Sequence, residues 1–307
     1  MGAKRFYENC ITTFGIQTRP ARLQIMTFPR RTRAENAAFV VESIKALGLQ
    51  VPGGSRLMQM YSTLASQKVI LPADQEFETA VEAERDMQVL AFVLDVAAAH
   101  STDQKFRDLI KFTVGDSVLP QDNRNNSSGR DFQFELFVAA ICQNASLVPV
   151  EREEPDVTCV VQGVKYGIAA KRIKSAANLR KRISKAADQI GKTGFPGIIV
   201  LETSLLFNPD NTGITSPVSD DNYGKLHHEA LCRCISRYAD EIHKWVRGKG
   251  VRGLVFHDQQ VRRLDLNGNW CLEGMNLEFP LADLDESQQR DFRCFTESYF
   301  SGLSNRE

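Results

Sequence analysis

The sequence predicts an α/β protein, with a mixed sheet flanked by helices and an all-helical region before it. Three observations support this fold class. Apolar residues recur at helical spacing through much of residues 34–115. Two runs rich in β-branched residues lie on either side of Gln162-Gly163, which is typical of a hairpin. The apolar run at 198–202 has the character of a buried central strand.

The first 119 residues predict a helical accessory domain with a basic N-terminal arm. Residues 1–34 contain seven Lys or Arg against Glu8, so the arm is either a phosphate-binding segment or a solvated or oligomer-contacting face. Helices are expected at 37–47, where Gly48 marks a stop, and at 57–65, 77–99 and 106–112. This domain is the expected surface for a protein partner or a homo-oligomer. Residues 120–129 are polar and without apolar periodicity, so they form the expected linker.

Residues 130–307 predict the second, α/β domain. Its first helix, at 130–144, carries a tight apolar stripe that includes Phe134 and Phe137, with Glu135 between them. The remaining expected elements are a strand at 147–150, the hairpin, a helix at 176–190, strands at 198–202 and 251–256, a long polar loop at 208–223, a helix at 223–247, a hairpin around Asn267-Gly268 and a terminal helix at 291–300.

The first hairpin has a register that follows from its two-residue loop. With Gln162 and Gly163 in the loop, the numbers of paired residues sum to 325, so Asp156 faces Ala169. Residues directly opposite each other have Cβ atoms about 4.5–5.5 Å apart. Lys171 lies two residues beyond Ala169 and projects from the same face. The hairpin therefore gathers an acid, position 169 and a lysine.

Pro155-Asp156 followed by Ala169-Ala170-Lys171 resembles the PD-(D/E)XK nuclease superfamily, with its restriction-endonuclease-like core, over roughly residues 128–205. In that family Pro-Asp opens one strand, and the next strand carries an acid, any residue and a lysine. The resemblance implies a site made of Asp156, position 169, Lys171 and Glu135, since a glutamate often comes from the preceding helix. The sequence departs from the family at Ala169, where the second acid is expected.

The resemblance implies cleavage of phosphodiester bonds with Mg²⁺ or Mn²⁺ as cofactor. Asp156, Glu135 and an acid at 169 would hold the cation, because magnesium prefers carboxylate oxygen ligands. Lys171 would orient or deprotonate the attacking water, or stabilise developing charge. With Ala169 the metal site loses a ligand, so cleavage is expected to be poor. The chain is either a natural non-cutting member or a deliberately inactivated variant, and the retained Asp156 and Lys171 favour the second.

A basic run follows the hairpin and predicts nucleic-acid binding, for which we expect DNA. Between Lys171 and Lys192 there are eight basic residues and one acid, Asp188, which is the electrostatic footprint expected for a phosphate backbone. A solvated helix face is the alternative. Gln189 in this helix is similar to glutamines of some members of the family. The residues predicted to contact nucleic acid are Arg172, Lys174, Arg180, Lys181, Arg182 and Lys185.

Composition places the chain among ordinary globular proteins of a reducing cytoplasm. Its 307 residues carry no formal net charge, so only local charge argues for nucleic acid. No apolar run reaches the length of a membrane span, and no secretory signal core is present, so no membrane partner is expected. Seven cysteines form an odd number without framework spacing, which indicates free thiols.

The predicted function is a metal-dependent endonuclease disabled here by Ala169, and the architecture suggests, by analogy, an antiviral effector of bacteria. The alternative is a non-catalytic subunit with the nuclease fold that binds nucleic acid or assembles a complex. A small-molecule hydrolase has little support, because neither a Gly-x-Ser-x-Gly elbow nor a phosphate-binding glycine loop is present. Zinc binding by His227, His228, Cys232 and Cys234, and acid–base work by His257-Asp258, are both disfavoured, because neighbouring residues on a helix or strand point apart.

Overall fold

The computed structural model describes residues 31–66, 70–71, 74–97, 104–114, 128–208, 220–263 and 270–303. Within these ranges the helices are α1 (Arg33–Ala46), α2 (Arg56–Ala65), α3 (Phe77–Ala97), α4 (Gln104–Thr113), α5 (Ser128–Asn144), α6 (Ala176–Thr193), α7 (Ser204–Phe207), α8 (Asp220–Ser236), α9 (Ala239–Val246) and α10 (Glu286–Ser301). The strands are β1 (Val157–Val161), β2 (Val164–Arg172), β3 (Gly197–Glu202), β4 (Val251–Arg263) and β5 (Trp270–Pro280).

The five strands form one mixed sheet in the order β1-β2-β3-β4-β5. The two outer pairs are antiparallel, whereas β2, β3 and β4 run parallel. The prediction of a mixed sheet flanked by helices is therefore confirmed. β3 lies at the centre, as its apolar run indicated, because both of its faces are covered.

Helix ends follow the local sequence. Thr32 and Glu35 form a capping box at the start of α1, and Asp285 and Gln288 form a second one at α10. α6 ends at Gly194, which adopts the left-handed conformation that glycine tolerates best. The predicted helices agree with the observed ones to within five residues at each end, except for the one expected at 223–247.

The sheet separates two hydrophobic clusters. One face of β2, with Ile168 and Ala170, packs against α5 and α10, and this cluster continues through α1 to α4. The other face, with Ala169, packs against α6, α8 and α9. Residues 120–127 of the predicted linker at 120–129 lie outside the described residues, whereas 128 and 129 already belong to α5. The first cluster contains side chains from both sides of this linker.

A buried charged cluster also joins the N-terminal helices to α5. Asp86 of α3 accepts hydrogen bonds at 2.9 Å from both Arg56 and Arg130, and at 3.1 Å from Gln133. Although burial opposes ionisation of Asp86, the two guanidinium groups hold its pKa below the usual value. Such a cluster fixes the mutual position of α2, α3 and α5, because each buried charge is neutralised only while the other members of the cluster stay in place.

Two expected elements differ from the structure. Residues 147–150 form no strand, and this segment pairs with β1 only through the bridge between Glu151 and Thr158 and one further backbone hydrogen bond, from Val160 to Leu147. The predicted helix at 223–247 is broken into α8 and α9. Apolar residues continue at helical spacing across this break, so periodicity does not reveal it. The turn at 264–269 lies outside the described residues, although the hairpin of β4 and β5 is confirmed.

Candidate active site at the hairpin

The turn between β1 and β2 sets the geometry of the site. Gln162 and Gly163 have φ values of 50° and 81°, as a type I′ turn requires. Val157 consequently pairs with Ile168, and the numbers of the paired residues sum to 325 as predicted. Asp156 directly precedes β1, on the same side of the sheet as Ala169 and Lys171.

Asp156 and Lys171 form a mostly buried ion pair. Lys171 Nζ lies 2.5 Å from Asp156 Oδ2, and the two side chains are 8% and 10% exposed. The same carboxylate oxygen accepts a hydrogen bond of 2.8 Å from the backbone N–H of Ala170. The structure thus brings together the two charged residues that the sequence placed on one face.

Gln189 of α6 completes the surroundings of Asp156. Its Nε2 donates to the Pro155 carbonyl at 2.8 Å and to Asp156 Oδ1 at 3.3 Å. Gln189 therefore anchors the Pro-Asp segment to the helix. It was not among the predicted site residues, although the resemblance had drawn attention to it in the basic helix.

Burial dominates the electrostatics of Asp156. Desolvation raises the pKa of its carboxyl above the usual value, and the ammonium of Lys171 opposes this effect. The N–H of Ala170 and the amide of Gln189 act in the same direction as Lys171. Lys171, Ala170 and Gln189 therefore stabilise the ionised form of Asp156 against the cost of burial.

Ala169 is fully buried in the apolar cluster beneath α6. It offers no oxygen, and Asp156 is already bound by Lys171. The residues present therefore do not fit a magnesium site, which needs more oxygen ligands than one engaged carboxylate. Within the described parts of the chain, no group of three or more His, Cys, Asp or Glu residues gathers as a metal site would require.

Glu135 lies half-buried on α5. The buried side chains of α5 belong to the cluster on the Ile168 and Ala170 face, whereas Asp156 and Lys171 lie on the opposite face. Its role beside them stays a prediction. Asp131, one turn earlier on α5, does reach α6, since Arg182 Nη2 lies 3.4 Å from its carboxylate.

The structure divides the predicted nucleic-acid contacts into two groups. Arg172, which was expected at the surface, is only 5% exposed, and its Nε donates a hydrogen bond to Glu202 at 3.0 Å. Glu202 lies directly opposite Arg172 in the parallel pairing of β2 and β3. Lys174 is also buried, at 9% exposure, and desolvation lowers its pKa. These two residues lie in the interior of this structure, and their contact with nucleic acid stays a prediction.

The basic residues of α6 remain at the surface. Arg180, Lys181 and Lys185 are exposed and Arg182 is half-exposed. With Lys192, the helix carries five basic residues against Asp188, which itself pairs with Lys249 at 3.0 Å. This face has the charge that phosphate groups require.

A second polar cluster lies at β4. It includes His257 and Asp258, whose use as an acid–base pair the sequence disfavoured. His257 and Asp258 point to opposite sides of the strand. Asp258 is bound by His227 at 2.5 Å and by Gln260 at 3.0 Å, whereas His257 contacts the Tyr299 hydroxyl at 3.0 Å. Burial lowers the pKa of His257 to about 4. No sequence signal could have paired His227 with Asp258, since 31 residues separate them.

No helix among the described residues combines the length and apolar character needed to cross a bilayer. Comparisons with protein-family models, with curated proteins and with solved structures found no match to this chain. The hairpin and the surface beside it are therefore the features from which function is inferred.

Proposed function

We propose that this chain is a restriction-endonuclease-like protein that binds nucleic acid, and that its hairpin site cleaves phosphodiester bonds only when position 169 carries an acid. The observation that carries the proposal is the hairpin register, which sets Asp156 and Lys171 on one face with Ala169 between them. In this form the chain binds without cutting. A role as an antiviral effector in bacteria is part of the same proposal.

The order of elements supports the proposal. A helix, an irregular edge segment, the hairpin, a second helix and a parallel strand follow one another from residue 128 to residue 202. The second helix is α6, whose exposed face is basic and whose Gln189 contacts Asp156. A cationic surface is therefore continuous with the hairpin site.

The test compares this chain with its Ala169→Glu and Ala169→Asp variants on plasmid DNA and single-stranded RNA, with Mg²⁺ or Mn²⁺ and with EDTA. We expect cleavage by at least one acidic variant, suppressed by EDTA and absent from the parent chain. Ala169→Gln is the matched control, because it has the size of Glu without the charge. Adding Lys171→Met to the active variant should abolish cleavage.

Inert acidic variants that remain folded, as judged by circular dichroism, would contradict the cleavage part of the proposal. The non-catalytic alternative then gains support if the chain still binds DNA with steep salt dependence. One feature favours that alternative: Asp156 is already compensated by Lys171, Ala170 and Gln189, so the site needs no cation to be stable.

A further inference from the structure

A stacked pair of aromatic rings lies where α4 ends and α5 begins. The rings of Phe112 and Phe132 are 5.1 Å apart and inclined by 30°. Phe112 is 54% exposed, and Phe132 is half-buried beneath it. The described residues include two other exposed large apolar side chains, Val148 and Val164, and neither is aromatic. Leaving most of a phenyl ring in water is unfavourable, so this exposure calls for an explanation.

The start of α5, which carries Phe132, contacts the basic helix. Phe132 follows Asp131 in the chain, and Asp131 is 3.4 Å from Arg182 of α6. Both members of this ion pair are about 30% exposed, so the pair is weak and a phosphate group can replace the carboxylate. Arg182 therefore links the start of α5, the helix that carries Phe132, to the basic face of α6.

The same helix connects the rings to the hairpin site. Arg182 and Gln189 are seven residues apart, so they lie on one side of α6 and are separated by about 10 Å. Gln189 contacts Asp156. At about 3.4 Å for each stacked nucleotide, the distance along the helix corresponds to about three nucleotides.

We propose that Phe112 and Phe132 form a stacking platform for an unpaired base, and that the strand carrying this base runs along α6 towards Asp156 and Lys171. This inference rests on the proposed function and deepens it, because it assigns single-stranded nucleic acid as the ligand. In a duplex both faces of a base are covered by its neighbours, so an exposed ring at the surface has no base to stack on.

The chemistry of the patch favours a base over a protein partner. A stable protein interface buries roughly 800 Å² on each side around an apolar centre depleted of charge. Here the exposed ring stacks on Phe132 of α5, and α5 is joined through Asp131 and Arg182 to a helix with five basic residues and one acid. An exposed ring and a basic helix joined in this way match the combination of stacking platform and electrostatic groove that single strands require.

Fluorescence anisotropy with a labelled oligothymidylate and a duplex of equal length tests the inference on the full chain as it stands, with Ala169. Phe112→Leu keeps an apolar contact with Phe132 but removes the flat ring. We expect it to weaken single-strand binding about tenfold while leaving duplex binding and the salt dependence unchanged. Phe112→Trp should keep the affinity, and the bound base should quench its fluorescence.

Arg182→Gln is the matched charge variant. It should weaken binding of both nucleic acids and reduce the salt dependence, because it removes a phosphate contact. Equal single-strand affinity of Phe112→Leu and the parent, or no quenching in Phe112→Trp, would refute the platform. Tighter binding of the duplex than of the single strand would also refute it while leaving the cleavage test untouched. Failure to bind any nucleic acid would overturn this inference and the binding part of the proposed function together.

Discussion

Removing Lys171 tests whether the hairpin site is held by its ion pair. In Lys171→Met the partner disappears while Asp156 stays in a mostly buried place, at 10% exposure. Breaking a buried ion pair on one side typically costs about 3–5 kcal/mol. The Ala170 N–H and the Gln189 amide continue to bind the carboxylate, so we expect the lower part of this range.

The loss should depend on pH. Burial already raises the pKa of Asp156, and Lys171 is the strongest opposing group, so its removal raises the pKa further. A carboxyl with a raised pKa in the folded state binds its proton more tightly there than in the unfolded chain. The corresponding stability is present at low pH and is lost as pH rises through the folded-state pKa. Lys171→Met should therefore be more destabilising at pH 8 than at pH 5.

Urea unfolding followed by circular dichroism measures the effect. Asp156→Asn and the double variant Asp156→Asn/Lys171→Met complete the cycle, and the double variant should recover most of the stability lost in Lys171→Met because no charge is left unpaired. A loss below about 1 kcal/mol without coupling, as solvent-exposed ion pairs give, would refute the buried pair.

Two further predictions concern stability elsewhere. Burial raises the pKa of Glu84 from 4.5 to about 7, although Arg33 opposes this effect. Because the folded state then binds the proton more tightly than the unfolded chain, the stability that Glu84 contributes at low pH is lost as pH rises through about 7. Glu84→Gln should therefore remove about 2.5 kcal/mol of the loss between pH 5 and pH 8, and unchanged urea midpoints at both values would contradict this. Gly163→Ala should cost about 1 kcal/mol, because φ is 81° there although a Cβ would meet no atom. Gly54→Ala is its control, with open space and no positive φ, and equal unfolding free energies of the two variants would contradict the turn assignment.

Local sequence signals predicted much of the fold. The two residues of the hairpin turn and the apolar spacing of each helix act within a few positions of themselves. Because a two-residue turn fixes which residues are opposite each other, the proximity of Asp156, Ala169 and Lys171 followed from the sequence. The central position of β3 followed from its continuous apolar run.

Contacts between distant residues could not be predicted in this way. Arg172 was expected at the surface because it belongs to a basic run, yet the parallel register of β2 and β3 places it opposite Glu202. The register of parallel strands is set by packing across a connecting helix rather than by a turn, so no local pattern reveals it. The pairing of Asp86 with Arg56 and Arg130 also depends on the packing of distant segments, here three helices.

By itself, the sequence determined most of the secondary structure, the hairpin register and the basic character of α6, because each depends on neighbouring residues. Tertiary structure alone decided which charges reach solvent, that the N-terminal helices share a hydrophobic cluster with the sheet, and that Phe112 of α4 stacks on Phe132 of α5. These features depend on segments that are far apart in the chain, and only the packing of helices against the sheet brings them together.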